Sequence, residues 1–418
     1  MSLVVSLELA ADGSRFGAKA ARLARLACAG LPVPAGYCID AQAYRLQLAH
    51  LGLERAARGV FAAAERAQAR RHALEIKLRL MEGELAPQVE RALRELWPLV
   101  GKPCAVRSSA LVEDGAAASF AGQFQSYLGV ETEGDFFTAA RACWAALWST
   151  RALRYFATHE LDPADTAMAL LVQPLVRARA AGGALSRTAE GDMLVNATAG
   201  LGAAVAQGEV VPDSYRLDRR GRLKESVLGR KYHAVGCVHG RRMLARTLLA
   251  APCVSDDALG ELGELMLKAE ALCGGPVEIE WALDEAGVQL LQARPLRLAP
   301  TAVPDEIWLQ HPRLSGQPSG AGWGTGRACV VNCECELERL APGDVLVTAA
   351  AGPALSDVLH NVAGVVAELG GSTSHLASLA RERGIPMVLG VRDALERIPD
   401  GAMVAVDGVA GVVRWMRA

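Results

Sequence analysis

The stretch GGSTSHLASLARERGIP, residues 370–386, leaves a chain little choice of local structure. Two glycines open it as a turn, and Thr373 or Ser374 can cap a first helical turn by accepting a backbone N–H. Leu376, Leu379, Ala380 and Arg383 then recur at the i, i+3, i+4, i+7 spacing of one helix face. Gly384 and Pro386 stop the helix. His375 is thereby set at a helix N-terminus, among backbone N–H groups that lack intrahelical partners and beside two hydroxyls. Such an end attracts anions. A neutral imidazole there could accept a phosphoryl group, whose oxygens the amides would hold. The same residues also fit a plain capping or solvated histidine, and local physics leaves both readings open.

The pattern GG-x-TSH-x-A-x-x-A-R-E-x-GIP resembles the phosphohistidine signature of the swivelling domain in phosphoenolpyruvate synthase, pyruvate phosphate dikinase and rifampin phosphotransferase. The resemblance implies that His375 is the residue phosphorylated during turnover, with Thr373 among the ligand-binding residues beside it.

Length and composition bound what such a chain can be. At 418 residues it has room for two or three domains, each with its own core. Lys and Arg total 44 against 46 Asp and Glu, a net charge of -2, which offers no electrostatic pull toward nucleic acid or an anionic membrane. The opening MSLVVSLELAADGSRFG has no basic segment before an apolar run, so no signal peptide is expected. No run nears the roughly 18 to 20 apolar residues of a membrane span. Ten cysteines occur without a CxxC pair, which reads as thiols in a reducing cytosol, and the expected location is cytoplasmic. Cys329, Cys333 and Cys335 would crowd three metal ligands onto one short segment, and they are read as thiols too.

Residues 14–47 read as loop, helix, turn, short strand and helix, with Ala20, Leu23, Ala24, Leu26 and Ala27 on the apolar face of the first helix. Lys19 follows Gly17 in the first turn, where a cation opposes the helix dipole, so some anion should compensate it. A solvated surface lysine is the other reading. The segment is similar to the opening of the family's nucleotide-binding domain, and the resemblance implies that Lys19 touches ATP phosphates. The family's double glycine is Phe16-Gly17 here, and Ala18 separates Gly17 from Lys19, so the loop is altered. Residues 51–97 carry helical periodicity and are expected to form a long antiparallel helical pair. Residues 103–130 read as strand, loop, strand. Val106-Arg107-Ser108-Ser109 ends an apolar run in a cation and two hydroxyls, which is phosphate-binding chemistry or an ordinary surface hairpin. By resemblance Arg107 is the phosphate clamp and Ser119-Phe120-Ala121-Gly122-Gln123 is the loop that covers the nucleotide. Trp144 and Trp148 are expected in the core.

Met168 to Val176 reads as a buried strand leading to a bend at the start of a second subdomain. By resemblance Gln173 and Leu175 offer groups to adenine, and Gly200-Leu201-Gly202 with residues 208–213 forms a glycine turn and strand near the nucleotide. A tight turn explains those glycines equally well. In residues 275–297, Val277, Ile279 and Trp281 alternate with Glu278 and Glu280, placing both carboxylates on one strand face. A return strand presents Gln292 and Arg294. Oxygen ligands of this kind suit Mg²⁺ bridging phosphates, with Arg steadying a transferring group. Exposed polar positions on an edge hairpin are the alternative. By resemblance Glu280 and Gln292 are metal ligands and Arg294 is a phosphate-binding arginine. By the same resemblance Glu278, standing where the family often has Asp, is expected to be a cofactor-binding residue.

The resemblance implies a multidomain α/β and α+β chain. An ATP-grasp nucleotide-binding domain covers residues 1–298, in subdomains of about 1–165 and 166–298. A linker follows at 299–312, then a compact β/β/α swivelling phosphohistidine domain at 313–418. The barrel that binds pyruvate and the inserted drug-binding domain of relatives are not recognised, so the donor half alone is expected. The implied activity is dikinase-type phosphotransfer, with ATP and Mg²⁺ as cofactors and His375, Arg294 and Arg107 as the catalytic set. The acceptor is a small molecule or a site on a partner subunit. A donor subunit of a larger synthase or ligase and a degenerate nucleotide-binding regulator are the alternatives. Neither nucleic acid nor a membrane is expected as a partner.

Overall fold

The computed structural model describes residues 2–63, 65–113, 120, 124, 126–230, 233–235, 241–243, 251–298, 306–332 and 334–416. The expected nucleotide-covering loop, apart from Phe120, lies outside them, as do linker residues 299–305 and Cys333. The chain divides into two compact units, Met1–Val176 with Leu290–Arg294, and Arg177–Gln289 with Pro295–Ala418.

The first unit is built on an antiparallel sheet in the order Val4–Ser6, Tyr37–Ile39, Met168–Pro174, Cys104–Ala110, Ser126–Val130. Met168–Pro174, which the sequence places at the start of a second subdomain, is the middle strand. Its run Met168, Ala169, Leu170, Leu171, Val172 is apolar on both faces, and such a strand needs cover on both sides. Cover comes in part from the helix Gly13–Cys28, which breaks at Gly17, where φ is +76°. A side chain at Gly17 would overlap the Ser109 carbonyl, so both the backbone angle and the close approach require glycine. Trp144 and Trp148 are core residues as expected, and Trp148 Nε1 donates to Tyr44 Oη at 2.9 Å. The expected helical pair at 51–97 is three helices, Glu54–Ala62, Arg66–Glu82 and Pro87–Leu96. Gly83 ends the second and Pro87 opens the third. Phe120 is fully buried, its ring 4.5 Å from that of Tyr155 and 4.8 Å from that of Phe156.

Burial pushes the Cys38 and Cys143 thiols up to about 12 and that of Cys104 to about 11, because a thiolate loses its hydration there. Cys28 is exposed. A thiol reagent at about pH 8 is therefore expected to modify Cys28 in the native protein and to leave the other three unmodified until it unfolds. Peptide mapping checks this, and early alkylation of Cys143 would contradict it.

The second unit holds antiparallel strands in the order Val277–Asp284, Ala180–Leu185, Met193–Ala199, Asp213–Leu217, Leu223–Val227. The return strand Gly287–Pro295 begins in this unit, and its Leu290–Arg294 segment belongs to the first. Helix Asp256–Cys273 is capped by Ser255, whose side chain accepts from Ala258 N, and it ends at Gly274 in the left-handed region. Asp213, at the end of the glycine-rich stretch, is fully buried and accepts from the N–H groups of Gly229 and Cys253 at 2.8 and 2.9 Å. It staples the sheet edge.

The rest of this unit is a sheet in the order Arg313–Ser315, Val412–Trp415, Met403–Asp407, Trp323–Val331, Val345–Thr348, Gly364–Ala367, Met387–Leu389, Gln317–Pro318. Trp323–Val331 through Met387–Leu389 run parallel to one another. Val345, Val347, Val366, Val388, Val404 and Val406 centre its core. Helix His375–Arg383 connects the adjacent parallel strands Gly364–Ala367 and Met387–Leu389. His375 therefore lies beyond the carboxyl end of a parallel strand, where open α/β sheets bind ligands. No helix among the described residues is long and apolar enough to cross a membrane.

Candidate active site

In the first unit, cations gather around the strand that carries Arg107, Ser108 and Ser109. Ser109 Oγ donates to Phe16 O at 2.7 Å and accepts from Ala20 N at 3.2 Å, which fastens the Gly17 turn to that strand. The turn delivers Lys19, whose Nζ donates to Ser108 O at 2.9 Å and pairs with Glu113 Oε1 at 2.9 Å. The anion expected to balance this lysine is thus a carboxylate of the chain, with both side chains about 6 % exposed. Arg107 Nη2 donates to Gln292 Oε1 at 2.9 Å, and its Nη1 donates to the Leu291 carbonyl. The segment bearing Gln292 and Arg294 is held by Leu290 N donating to Pro32 O at 2.7 Å and Arg22 Nη1 donating to Ala293 O at 2.9 Å. Arg294 is buried, as are Arg107 and Lys19. Three buried cations and an amide within one unit make a setting for polyphosphate. Gln173 is also buried and its Nε2 donates to Pro34 O at 2.6 Å, while Leu175 N donates to Pro103 O at 2.8 Å.

In the second unit, His375 is the first residue of its helix, and Ser374 is the cap, its Oγ accepting from Ala377 N at 3.3 Å. Gly384 closes the helix with φ +69°. Leu376, Ala377, Leu379 and Ala380 are buried beneath it. Thr373, expected on the ligand, donates from Oγ1 to Asn196 Oδ1 at 3.2 Å. Asn196 pairs in register with Gly183, and Gly183 with Glu280, so the three share one sheet face. A Cβ on Gly183 would stand 2.5 Å from that of Thr373. The histidine loop therefore rests on the face that carries Glu280. Glu278, two residues along the same face, spends its carboxylate on the histidine helix, accepting from Ser378 Oγ at 2.8 Å and from Arg381 Nη2 at 3.0 Å.

Glu113, Asn196, Ser378 and Arg381 carry much of this geometry, with Gln317, whose Oε1 accepts from Asn196 Nδ2 at 3.3 Å, and none was singled out from sequence. Ser378 and Arg381 stand within the GG-x-TSH stretch, and their i, i+3 spacing on one helix face was the available signal. Asn196 and Gln317 belong to no motif.

Mg²⁺ is a hard cation that takes oxygen donors. Among the described residues no group of three or more His, Cys, Asp or Glu is placed to hold a metal ion. Mg²⁺ commonly takes one or two carboxylates and completes its shell with water and substrate phosphate oxygens. Glu280 and the amide oxygen of Gln292 are hard donors of that type.

Residues 13–309 match the family described as the pyruvate phosphate dikinase AMP/ATP-binding domain, and residues 340–411 match the mobile domain of PEP-utilising enzymes. A probable phosphoenolpyruvate synthase of Pyrococcus abyssi is 30% identical over 464 residues, covering 96% of this chain and 57% of that protein. Phosphoenolpyruvate synthase of Aeropyrum pernix is 32% identical, covering 95% of this chain and 56% of its own. The Escherichia coli enzyme of that name is 27% identical, covering 97% and 56%. The chain thus spans little more than half the length of these relatives. The first of these family matches covers more than half of the chain, and the chain belongs to the pyruvate phosphate dikinase and phosphoenolpyruvate synthase family.

Proposed function

We propose that the chain is an ATP-dependent dikinase-type phosphotransferase that phosphorylates its own His375 and passes the group to a second acceptor. The observation that carries this reading is the seat of His375, at a capped helix N-terminus whose loop lies on the sheet face bearing Glu280. Lys19, Arg107 and Arg294 would hold the ATP phosphates, with Gln173 and Leu175 at the adenine. An imidazole nitrogen of His375 attacks the β-phosphorus. The bond to the oxygen shared with the α-phosphate breaks, and AMP leaves with that electron pair. The histidine then bears both remaining phosphates, and the terminal phosphoryl group passes to water or to inorganic phosphate, leaving the β-phosphoryl group on the imidazole. Mg²⁺ at Glu280 and Gln292 would offset the phosphate charge. The helix N–H groups behind His375 stabilise the phosphoryl oxygens once they arrive.

The second transfer goes to a small molecule or to a site on a partner subunit. The relatives' names point to phosphoenolpyruvate as its product in them, which favours a small acid of the pyruvate kind. Domains at 1–298 and 313–418, joined by a hinge at 299–312, fit a histidine that visits two sites. A reducing cytoplasmic setting suits the buried thiols. ATP labelled in the β-phosphate, with Mg²⁺, is expected to leave acid-labile, base-stable label on the chain, with AMP formed in equal amount. ATP that binds without leaving such label would overturn the reading.

A further inference from the structure

Glu278 sits where a nucleotide ligand is expected, yet its carboxylate grips the helix that carries the histidine. Ser378 Oγ donates to both of its oxygens, at 2.9 and 2.8 Å, and Arg381 Nη2 donates at 3.0 Å. The same guanidinium donates from Nη1 to the Ser372 carbonyl at 2.6 Å, and from Nη2 to Ser378 Oγ at 3.1 Å. One carboxylate on the sheet thus fixes, through one arginine, both the helix after His375 and the loop before it. The pair is buried, with side chains 5% and 10% exposed.

A second cluster holds the other side of the loop. Thr373 Oγ1 donates to Asn196 Oδ1 at 3.2 Å. Gln317 Oε1 accepts from Asn196 Nδ2 at 3.3 Å and from Ser372 N at 3.2 Å. Between the clusters the sheet presents Gly183, where any side chain would enter the space of Thr373. The groups named here are polar and closely set, with Pro212 lying against Gly371 beside them. Each of them would regain water on separation, so such a seat gives orientation at little cost to release. Arg381 also balances the charge of Glu278, so less negative charge on this face confronts a polyphosphate.

We propose that Glu278, Asn196 and Gly183 form a docking seat for the phosphohistidine helix, with Glu278 acting as a positioning residue rather than as a nucleotide ligand. The proposal rests on the reading of His375 as phosphoryl acceptor. Its role is to bring the imidazole into line with the nucleotide, and a misplacement near 1 Å costs roughly 100-fold in rate.

Two full-chain variants test it. Glu278→Ala removes the grip but leaves Arg381 without its carboxylate, which can weaken folding. Gly183→Ala removes no polar side chain and adds one methyl against Thr373, at a strand position whose φ suits alanine. In both, the rate of His375 labelling is expected to fall roughly 100-fold. The ATP concentration for half-maximal rate and the ATP dissociation constant should stay within about twofold of wild type. Labelling at the wild-type rate in Gly183→Ala overturns the seat. Loss of ATP binding in Glu278→Ala returns that residue to the nucleotide. If the wild type takes no label, the reading of His375 fails and hydrogen exchange decides the seat. Amides of residues 372–381 should exchange faster in both variants than in wild type, and equal exchange overturns it.

Discussion

Replacing His375 with alanine is expected to leave no acid-labile label on the chain from β-labelled ATP, with the fold and ATP binding retained. The helix has its cap and its buried face in residues other than His375. Its first turn is capped by Ser374, and its buried face is Leu376, Ala377, Leu379 and Ala380. Alanine is the better helix former, so stability should change by no more than about 1 kcal/mol. The cations assigned to ATP are Lys19, Arg107 and Arg294, all in the other compact unit, so nucleotide affinity should hold. What vanishes is the nucleophile. The neighbouring hydroxyls do not replace it, because Ser374 is engaged with Ala377 N and Thr373 with Asn196. Label that persists and maps to Thr373 or Ser374 would move the acceptor and leave His375 a capping residue. Loss of label together with loss of ATP binding would make the histidine part of the nucleotide site instead.

The histidine helix was legible because every signal that shapes it is local. A cap at Ser374, an apolar stripe and the left-handed Gly384 all lie within a dozen residues, and the helix His375–Arg383 has the expected limits. The alternation in Val277–Trp281 likewise gave the shared face of Glu278 and Glu280, since strand side chains have period two. Partners far along the chain were not legible. Arg107 meets Gln292 at a separation of 185 residues, and Arg381 meets Glu278 at 103. Periodicity says which face a residue occupies and nothing about what lands on that face. For that reason an exposed hairpin stood as the alternative for Glu278, Glu280, Gln292 and Arg294, of which Glu280 is half-buried and the other three are buried. Met168–Pro174 shows the same limit. Its apolar run declared a buried strand, but only pairing with Cys104–Ala110 and Tyr37–Ile39 assigns it to the first sheet.

Lys19 is where stability and phosphate binding are expected to separate most clearly. An ammonium has three donors, and among the described residues Ser108 O and Glu113 take two, leaving one for a phosphate oxygen. The pair with Glu113 is buried on both sides. Removing one partner of a buried pair leaves the other charge less well compensated, at a cost of up to about 3–5 kcal/mol. Lys19→Met should therefore lower the unfolding midpoint markedly and also slow His375 labelling by about 10²–10³-fold, the usual loss when one stabilising donor leaves a reacting centre. Adding Glu113→Gln removes the carboxylate charge that Lys19 balanced, while its amide can still accept from Ala110 N, 3.3 Å from Glu113 Oε2. The double variant should recover most of the lost stability and none of the lost labelling, because no cation has returned to the phosphates. Denaturant titration and the labelling rate, measured on the same preparations, read the two effects apart. Recovery of both would make Lys19 a structural cation whose only work is to neutralise Glu113, and the phosphates would then fall to Arg107 and Arg294. Recovery of neither would mean that Glu113 is itself needed in the site, as an anion that holds the loop after Ala110 rather than as a counter-charge alone.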